Sequence, residues 1–403
     1  MNTKETTHRR PKGSGSEWKD ANGVWHARKE IAPNPQTGKR RLVEARGATK
    51  TAARQKLQAK LEKMQREGTT PLTSTPTLDV WIDRWLTQTA MNVKPRTLET
   101  YRSDCNAIRS QIGGMRLDKI TPGDIERMCA RLNQTRSGKT VHNHYIRLQQ
   151  ILNAAVREQL IPTNPALAAT PPRYESKETR ILNPGQPQQA IEAARRPAHR
   201  KWDMLQDDDA DRAMWALMFD LAFETGMRQG ERFALTPEEL VTKGGVHGIQ
   251  VEWELQRLAP DATIPNWLDA RHLEGRFWLL PPKSRQGRRF IPVSETTWIR
   301  LHERAAKCEP NGLLFTRHGH PLTNNVERLR WRRALQDAGL PDDITMRAAR
   351  HFFSTHLAET GAPEDARKAM MGHAKITTTA GYTHWSPERL AQLAQQARQA
   401  INA

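Results

Sequence analysis

Apolar positions in the first 70 residues change from an alternating to a helical spacing. The runs SEWKD, VWHARKEI and KRRLVEAR are separated by the turn signals ANG and PNPQTGK, which predicts three short strands. The segment TKTAARQKLQAKLEKMQREG then begins at a threonine, carries Ala, Leu and Met at helical intervals and ends at a glycine. The pattern predicts a βββα unit over 16–70. The polar, basic stretch 1–15 is predicted to be a flexible arm.

Helical spacing dominates the next hundred residues. After a Thr- and Pro-rich linker at 71–76, four segments carry apolar residues at i, i+3 and i+4: TLDVWIDRWLTQTA, KPRTLETYRSDCNAIRSQIG, TPGDIERMCARLN and GKTVHNHYIRLQQILNAAVREQLI. They predict a unit of four or five helices over 77–170. A polar linker at 171–182 follows.

The last part of the chain mixes both patterns. DRAMWALMFDLAFETGMRQGERFAL predicts a buried helix, a break at Gly226 and a second helix, whereas GIQVEWEL, RFWLLPP and RRFIPVS predict a three-stranded antiparallel sheet with KSRQG at a hairpin tip. We predict a mostly helical domain over 183–385 and a helical tail over 386–403. The expected fold class is therefore multidomain and mainly α with small β-sheets (α+β).

The charge of the chain indicates the kind of partner that it binds. The net charge is +19 with a pI near 10.2, and residues 1–70 hold 17 Lys and Arg against 7 Asp and Glu. This balance favours a polyanion such as nucleic acid. No apolar run approaches the roughly 20 residues that span a bilayer, and the polar, basic N-terminus lacks the apolar stretch of a signal peptide, so we expect a soluble cytoplasmic protein without a membrane partner. Three widely spaced cysteines indicate neither a zinc site nor disulfides.

A basic three-stranded sheet could enter a DNA major groove, which admits a β-ribbon. The alternative interpretation of this basic N-terminal region is a basic tail without a specific DNA-binding role. The exposed cations of the helical unit have two explanations. They could bind DNA phosphates, or they could belong to ordinary solvated helix faces. The candidate DNA-binding residues are Lys39, Arg40, Arg41, Lys94, Arg96, Arg136, Lys139 and Arg285.

Cationic side chains cluster in the sequence of the last domain. Arg347 and Arg350 are three residues apart, so they share a helix face, and Arg228 follows a glycine break. Guanidinium groups fit the non-bridging oxygens of a phosphate and could stabilise a pentacoordinate phosphorane. An N-cap salt bridge to Glu231 is the alternative explanation of Arg228.

One phenol accompanies these cations, because Tyr382 is the only tyrosine after Tyr174. A cationic pocket lowers a phenol pKa and favours attack by the phenolate on a phosphodiester, which needs a general acid for the leaving hydroxyl. Lys283 is the candidate acid. Arg285, Arg288 and Arg289 crowd the same predicted hairpin, and any of them is an alternative contact to the phosphate. No HExxH motif supports a metal site at the histidines, and no cofactor is expected.

The segments TGMRQGE, KSRQGRRFIPV, RAARHFFSTHLAETG and MGHAKITTTAGYTH together resemble the ordered boxes of the tyrosine recombinase family, in particular lambda-type phage integrases with an N-terminal arm-binding domain. The resemblance covers nearly the whole chain. It assigns catalytic roles to Arg228, Lys283, Arg350, His373 and Tyr382. Arg347 stands where the family usually has a histidine; an arginine can bind phosphate but cannot act as a base.

The resemblance implies a site-specific integrase of a phage or other mobile element that cuts and rejoins DNA through a 3′-phosphotyrosine. It implies double-stranded core and arm sites as substrates, a homotetramer on two duplexes, and a host DNA-bending protein and an excision factor as further partners. It also implies a C-terminal tail that docks on a neighbouring protomer, with packing on its own domain as the alternative. A type IB topoisomerase-like enzyme and a non-catalytic DNA-binding regulator are the alternative functions.

Overall fold

The computed structural model describes residues 15–31, 41–66, 75–175, 180–197, 207–309, 312–372 and 385–402. These residues belong to two compact units. One is formed by Met1–Val93 and Thr97–Ser176, and the other by Lys94–Arg96 and Lys177–Ala403. Within the described ranges, no helix has the length and apolarity that a bilayer crossing demands. The fold class predicted from the sequence, mainly α with small β-sheets, is confirmed.

The first unit begins with a small antiparallel sheet and one helix. The elements are β1 (Ser16–Lys19), β2 (Trp25–Ile31), β3 (Arg41–Gly47) and α1 (Lys50–Arg66), with strand order β1-β2-β3. Ala27 and Val43 on the sheet pack against Ala53 and Leu57 on the helix. This core is small, so polar contacts carry a larger share of the stability of this part.

A buried histidine joins the strands of this sheet. His26 Nε2 lies 2.9 Å from Asp20 Oδ2, and Nδ1 lies 2.8 Å from Glu44 Oε1. Trp18 stacks on the imidazole with ring centroids 4.9 Å apart. Hydrogen bonds to Asp20 and then Glu44 raise the pKa of His26, against the opposing effects of burial and of Arg46, and they lower the pKa of both carboxyls. Protonated His26 is therefore stabilised between two carboxylates.

We expect the βββα part to lose stability as the pH rises. Because folding raises the pKa of His26, its contribution is complete below the unfolded value, roughly 6.5, and is lost as the pH passes through the folded value. The carboxyl pKa values are lowered, so their contribution is lost in acid. Protection factors of β2 amides in the full chain should fall from pH 6 to pH 8.5, and this decline should disappear in His26→Gln. An equal decline in both proteins would contradict the assignment.

The rest of the first unit contains four helices, of which α3 begins with two residues that belong to the second unit: α2 (Leu78–Ala90), α3 (Pro95–Ile112), α4 (Pro122–Asn133) and α5 (Gly138–Arg157). Thr121 and Asp124 form a capping box at the start of α4, and the Ser137 side chain caps α5. Apolar residues from all four helices share one core, in which the Trp81 indole donates to Ile151 O at 3.0 Å.

The helices of the second unit surround a central buried helix. They are α6 (Gln186–Arg195), α7 (Asp209–Thr225), α8 (Gln229–Phe233), α9 (Glu295–Ala305), α10 (Asn324–Asp337), α11 (Arg347–Glu359), α12 (Glu364–Met371) and α13 (Pro387–Asn402). Helix α7 is buried without interruption from Met214 to its C-terminus. That burial follows from its mostly apolar sequence, and the two carboxylates buried with it, Asp220 and Glu224, are paired with Arg300 and Arg398.

The strands of the second unit form two three-stranded sheets and a two-stranded ribbon. They are β4 (Leu240–Lys243), β5 (Val246–Val251), β6 (Glu254–Arg257), β7 (Arg271–Glu274), β8 (Phe277–Leu280), β9 (Arg289–Pro292), β10 (Thr316–Arg317) and β11 (His320–Pro321). The sheet orders are β4-β5-β9 and β6-β8-β7. The predicted pairing of RFWLLPP with RRFIPVS was wrong, because β6 and β7 occupy both edges of β8. Lys283 therefore lies in a connection between sheets instead of at a hairpin tip.

The C-terminal helix α13 packs on its own unit. Leu390, Leu393, Ala394 and Ala397 share a core with α11 and α12. Arg398 forms ion pairs with Asp220 and Glu224 on α7. In this single chain the tail has the intramolecular position that the sequence analysis treated as the alternative. Its apolar stripe is already covered, so docking on a neighbour requires its release first.

Candidate active site

The first site residue follows a sharp end of α7. Gly226 ends the helix in the left-handed region at φ 60°, and a Cβ there would lie 2.7 Å from Phe353 Cδ1, so glycine meets both the conformational and the steric demand. The chain then becomes extended at Arg228, the N-cap residue of α8. The Arg228 side chain is 41% exposed, which leaves it accessible to a ligand.

A buried carboxylate holds Arg228. Glu231 accepts from Arg228 N at 2.8 Å and from Arg228 Nη1 at 2.8 Å, and it also accepts from Arg289 Nη1 and Nη2 at 3.1 and 2.9 Å. Burial by itself raises the pKa of Glu231, but the charge and hydrogen bonds of Arg289, followed by those of Arg228, outweigh it and lower the pKa to about 2. The ion pair named as the alternative for Arg228 therefore exists, and it orients the guanidinium.

Arg350 approaches the same place from α11. It donates through Nη1 to Gly226 O at 2.8 Å and through Nη2 to Met371 O. Burial, with the charges of Arg228 and Arg289, lowers the pKa of Arg350 to about 9, so the guanidinium stays protonated at neutral pH. Arg347, at the start of α11, is exposed, and it shares with Arg228 and Arg350 the lining of one cleft.

Three arginines bind consecutive carbonyls at the end of α12. Arg289 Nε donates to Met370 O at 2.7 Å, Arg350 to Met371 O, and Arg228 Nη2 to Gly372 O at 3.2 Å. The last carbonyls of a helix lack intrahelical partners and carry partial negative charge, so cations are favourable there. His373 and Tyr382 lie outside the described residues, which resume at Trp385.

The cleft beside these arginines has a volume of about 690 Å³. Its other wall is α10, where Arg328 and Arg332 are one helical turn apart, exposed, and without an ion pair or hydrogen bond among the described residues. The sequence analysis missed this pair. The i, i+4 spacing, which places both side chains on one face of the helix, was the available signal.

Lys283 is exposed in the connection between β8 and β9, which contains a short 3₁₀ turn at Arg285–Gly287. Lys94 supports this connection, because its Nζ donates to Pro281 O and Pro282 O at 2.6 and 3.1 Å. Burial lowers the pKa of Lys94, with Glu254 opposing and the charges of Arg288 and Lys283 adding to the effect. Lys94 thus acts here as a support for the Lys283 segment.

The remaining DNA-binding candidates are not gathered at this site. Arg41 is buried at the start of β3, and Lys39 and Arg40 lie outside the described residues. Arg136 and Lys139 are exposed on either side of the α5 N-cap, and Lys139 Nζ lies 5.9 Å from the Tyr174 ring. Arg96 is exposed in the short stretch that belongs to the second unit, and Arg285 is exposed beside Lys283.

In the ranges that the structure describes, no cluster of three or more His, Cys, Asp and Glu side chains is placed to hold a metal ion. His356 is buried and bonded to Phe352 O, whereas burial and the charges of Arg347 and Arg350 lower the pKa of His351. His384 lies outside the described residues.

The chain matches known proteins over most of its length. Residues 200–389 match the family described as the phage integrase family, and residues 77–132 match the phage integrase N-terminal SAM-like domain. The tyrosine recombinase XerC of Alcanivorax borkumensis is 24% identical over 75% of this chain and 87% of that protein. An integrase of Streptomyces ambofaciens is 25% identical over 92% of both.

The fold is also that of a solved structure. A lambda integrase tetramer bound to a Holliday junction aligns with a TM-score of 0.52 and 18% identity, over 92% of this chain and 95% of the lambda chain. At this identity the likeness concerns the fold.

Proposed function

We propose, from the premise that the chain belongs to the phage integrase family of tyrosine recombinases, that Tyr382 cuts attachment-site DNA to form a 3′-phosphotyrosine. The chain is a tyrosine site-specific recombinase that breaks and rejoins DNA. The observation that carries the residue assignment is the convergence of Arg350 on Met371 O and of Arg228 on Gly372 O, the residue before His373. Family membership favours recombination over the topoisomerase and regulator alternatives.

The arginines bind the scissile phosphate in this proposal. Arg228 and Arg350 already bind carbonyl oxygens, and their forked donors suit the non-bridging oxygens of a phosphodiester equally well. Arg347 adds a third guanidinium from the same helix as Arg350. These charges stabilise the extra negative charge that the pentacoordinate transition state places on the equatorial oxygens.

The chemistry is one displacement followed by its reverse. The Tyr382 oxygen bonds to phosphorus while the bond to the 5′ oxygen breaks, and the phenol proton passes to His373 or to water, because Arg347 cannot accept it. Lys283 donates a proton to the leaving 5′ oxygen. The 5′-hydroxyl of a partner strand then attacks the phosphotyrosine and releases Tyr382. The phosphodiester energy is kept in the covalent intermediate, so this scheme needs neither ATP nor a metal ion.

The domains divide the DNA between them in this proposal. Residues 16–70 hold arm sites, while 77–170 and 183–385 together hold the core site. Residues 1–15 form the basic arm, and 71–76 and 171–182 are the linkers.

We propose that four copies act on two duplexes, as in the tetramer on a Holliday junction reported for lambda integrase. The element would be a phage or other mobile DNA in a bacterial cytoplasm. A host DNA-bending protein and an excision factor complete the proposed partners.

Covalent trapping tests the function. The protein is incubated with a nicked suicide duplex that carries a candidate attachment core, so that the short strand released by cleavage diffuses away and religation is prevented. We expect a protein–DNA adduct on denaturing gels and a new 5′-hydroxyl on the released strand. A site that is bound tightly in an assembled complex but yields no adduct would support the regulator alternative.

Arg328 and Arg332 are expected to bind the DNA backbone next to the scissile phosphate. Each phosphate contact contributes about 0.9 to the slope of log affinity against log salt, so the double variant R328Q/R332Q should lower the slope by roughly 1 to 2. Fluorescence anisotropy of a labelled core duplex at several salt concentrations measures it. The control is R195Q/R257Q, which removes two exposed arginines of the same unit outside the cleft. Equal slopes in both variants would refute the assignment.

A further inference from the structure

We propose that Arg289 is a positioning residue for strand cleavage, and this inference rests on the proposed function. Its guanidinium joins three parts of the site: the carboxylate of Glu231 that orients Arg228, the connection that carries Lys283, and the end of α12. Arg289 is 7% exposed, so it cannot itself reach a DNA phosphate. Its effect must pass through the groups that it binds.

The contacts of Arg289 exhaust most of its donors. Nε donates to Met370 O at 2.7 Å, Nη1 to Glu231 Oε1 at 3.1 Å and to Gly287 O at 2.9 Å, and Nη2 to Glu231 Oε2 at 2.9 Å. A planar fork can make the paired contact with the carboxylate while Nε points elsewhere. Lysine keeps the charge but lacks this geometry.

The pairing of Arg289 with Glu231 determines how many guanidinium donors of Arg228 remain available for a ligand. Glu231 is 1% exposed, and a buried carboxylate needs cationic partners. Two donors from Arg289 satisfy one side of it, so Arg228 contributes a single side-chain nitrogen and keeps the rest of its guanidinium for other oxygens. Without Arg289, Glu231 would draw Arg228 inward and away from the phosphate.

The other contacts fix backbone on either side. Gly287 lies four residues after Lys283, and a Cβ there would be 2.4 Å from Pro282 Cβ, so this connection is folded tightly against itself. Gly372 approaches Arg289 so closely that a Cβ would lie 3.0 Å from Nη1. Arg289 is thus packed between the Lys283 segment and the end of α12, and it holds both to Glu231.

Hydrogen exchange of the free protein tests the positioning directly. In Arg289→Lys we expect faster exchange at the amides of 226–231 and 368–372 and unchanged exchange in α4 and α5. The control is Arg330→Lys, an equally buried arginine of the same unit that pairs with Asp207. Unchanged protection at 226–231 and 368–372 would overturn the proposal. If Arg289→Lys does not fold, the neutral pair R289M/E231Q replaces it, and faster exchange is expected at 368–372, where the contact with Met370 O is lost.

Adduct formation tests the consequence. We expect Arg289→Lys to slow it by about 10- to 100-fold, as for other residues that orient reacting groups, while the Kd for the core duplex changes less than about threefold. In an Arg228→Lys background the same substitution should cost less, because the part of its effect that passes through Arg228 is already lost. A structural role alone predicts an equal loss in both backgrounds, as we expect for Arg330→Lys. If wild type forms no adduct, the proposed function fails, and the exchange result alone decides the role of Arg289.

Discussion

Replacing Tyr382 with phenylalanine is expected to abolish the covalent protein–DNA adduct. Phenylalanine keeps the ring but lacks the oxygen that forms the bond to phosphorus, and losing a nucleophile costs enzymes about 10⁴-fold or more in rate. DNA binding should persist, because the arginines proposed to bind the phosphate are unchanged. The measurement is adduct yield from the suicide duplex, with affinity measured in parallel.

The matched control is Tyr174→Phe, which removes a hydroxyl from a partly exposed tyrosine of the first unit. It should give a wild-type yield of adduct. An adduct that survives in Tyr382→Phe would mean that another residue is the nucleophile. Loss of both adduct and binding would instead indicate that the substitution disturbs folding.

Arg350→Lys is expected to slow adduct formation by about 10²- to 10³-fold, the usual cost of removing one donor to a transition-state oxyanion. Lysine keeps the positive charge but cannot bridge two oxygens as Arg350 bridges Gly226 O and Met371 O. The loss should appear in the rate at saturating DNA. Single-turnover cleavage with excess protein measures it.

Arg276→Lys provides the comparison for Arg350. Arg276 is also partly buried and donates to a carbonyl, Leu258 O, at 2.6 Å, but it lies in the β6-β8-β7 region outside the cleft. Its rate should stay within about threefold of wild type, as is usual for substitutions remote from a site. Similar losses in both variants would show that Arg350 serves the fold and not the phosphate.

Local sequence signals predicted much of the fold. The mostly apolar sequence of α7 and the glycine at its end placed the buried helix and the break before Arg228 correctly. Strand pairing was predicted less well, because we paired β8 and β9 as neighbours in sequence. The partners of β8 are instead β6 and β7, and such a choice depends on contacts distant along the chain.

The site was harder to predict from the sequence, because the roles of its residues depend on where their side chains point. Arg289 looked equivalent to Arg285 and Arg288 in the sequence, yet only Arg289 shares the inward face of β9 with Ile291. The two-residue period of the strand carried that signal. The contact of Lys94 with Pro281 spans 187 positions and has no local signal. The assignments of His373 and Tyr382 stay predictions, since both lie outside the described residues.

The carbonyls at the end of α12 also set a limit on affinity. Met371 O and Gly372 O occupy donors of Arg350 and Arg228 that the phosphate would use. Two ligands that compete for one set of donors are linked reciprocally, so phosphate weakens the hold on the helix end by the factor with which the helix end weakens phosphate binding. In the proposed mechanism, phosphate binding therefore loosens the backbone that precedes His373, and part of the intrinsic affinity for DNA is spent on that change. A variant in which these carbonyls no longer compete would be expected to bind DNA more tightly. It would also be expected to lose the link between phosphate binding and the position of the backbone before His373.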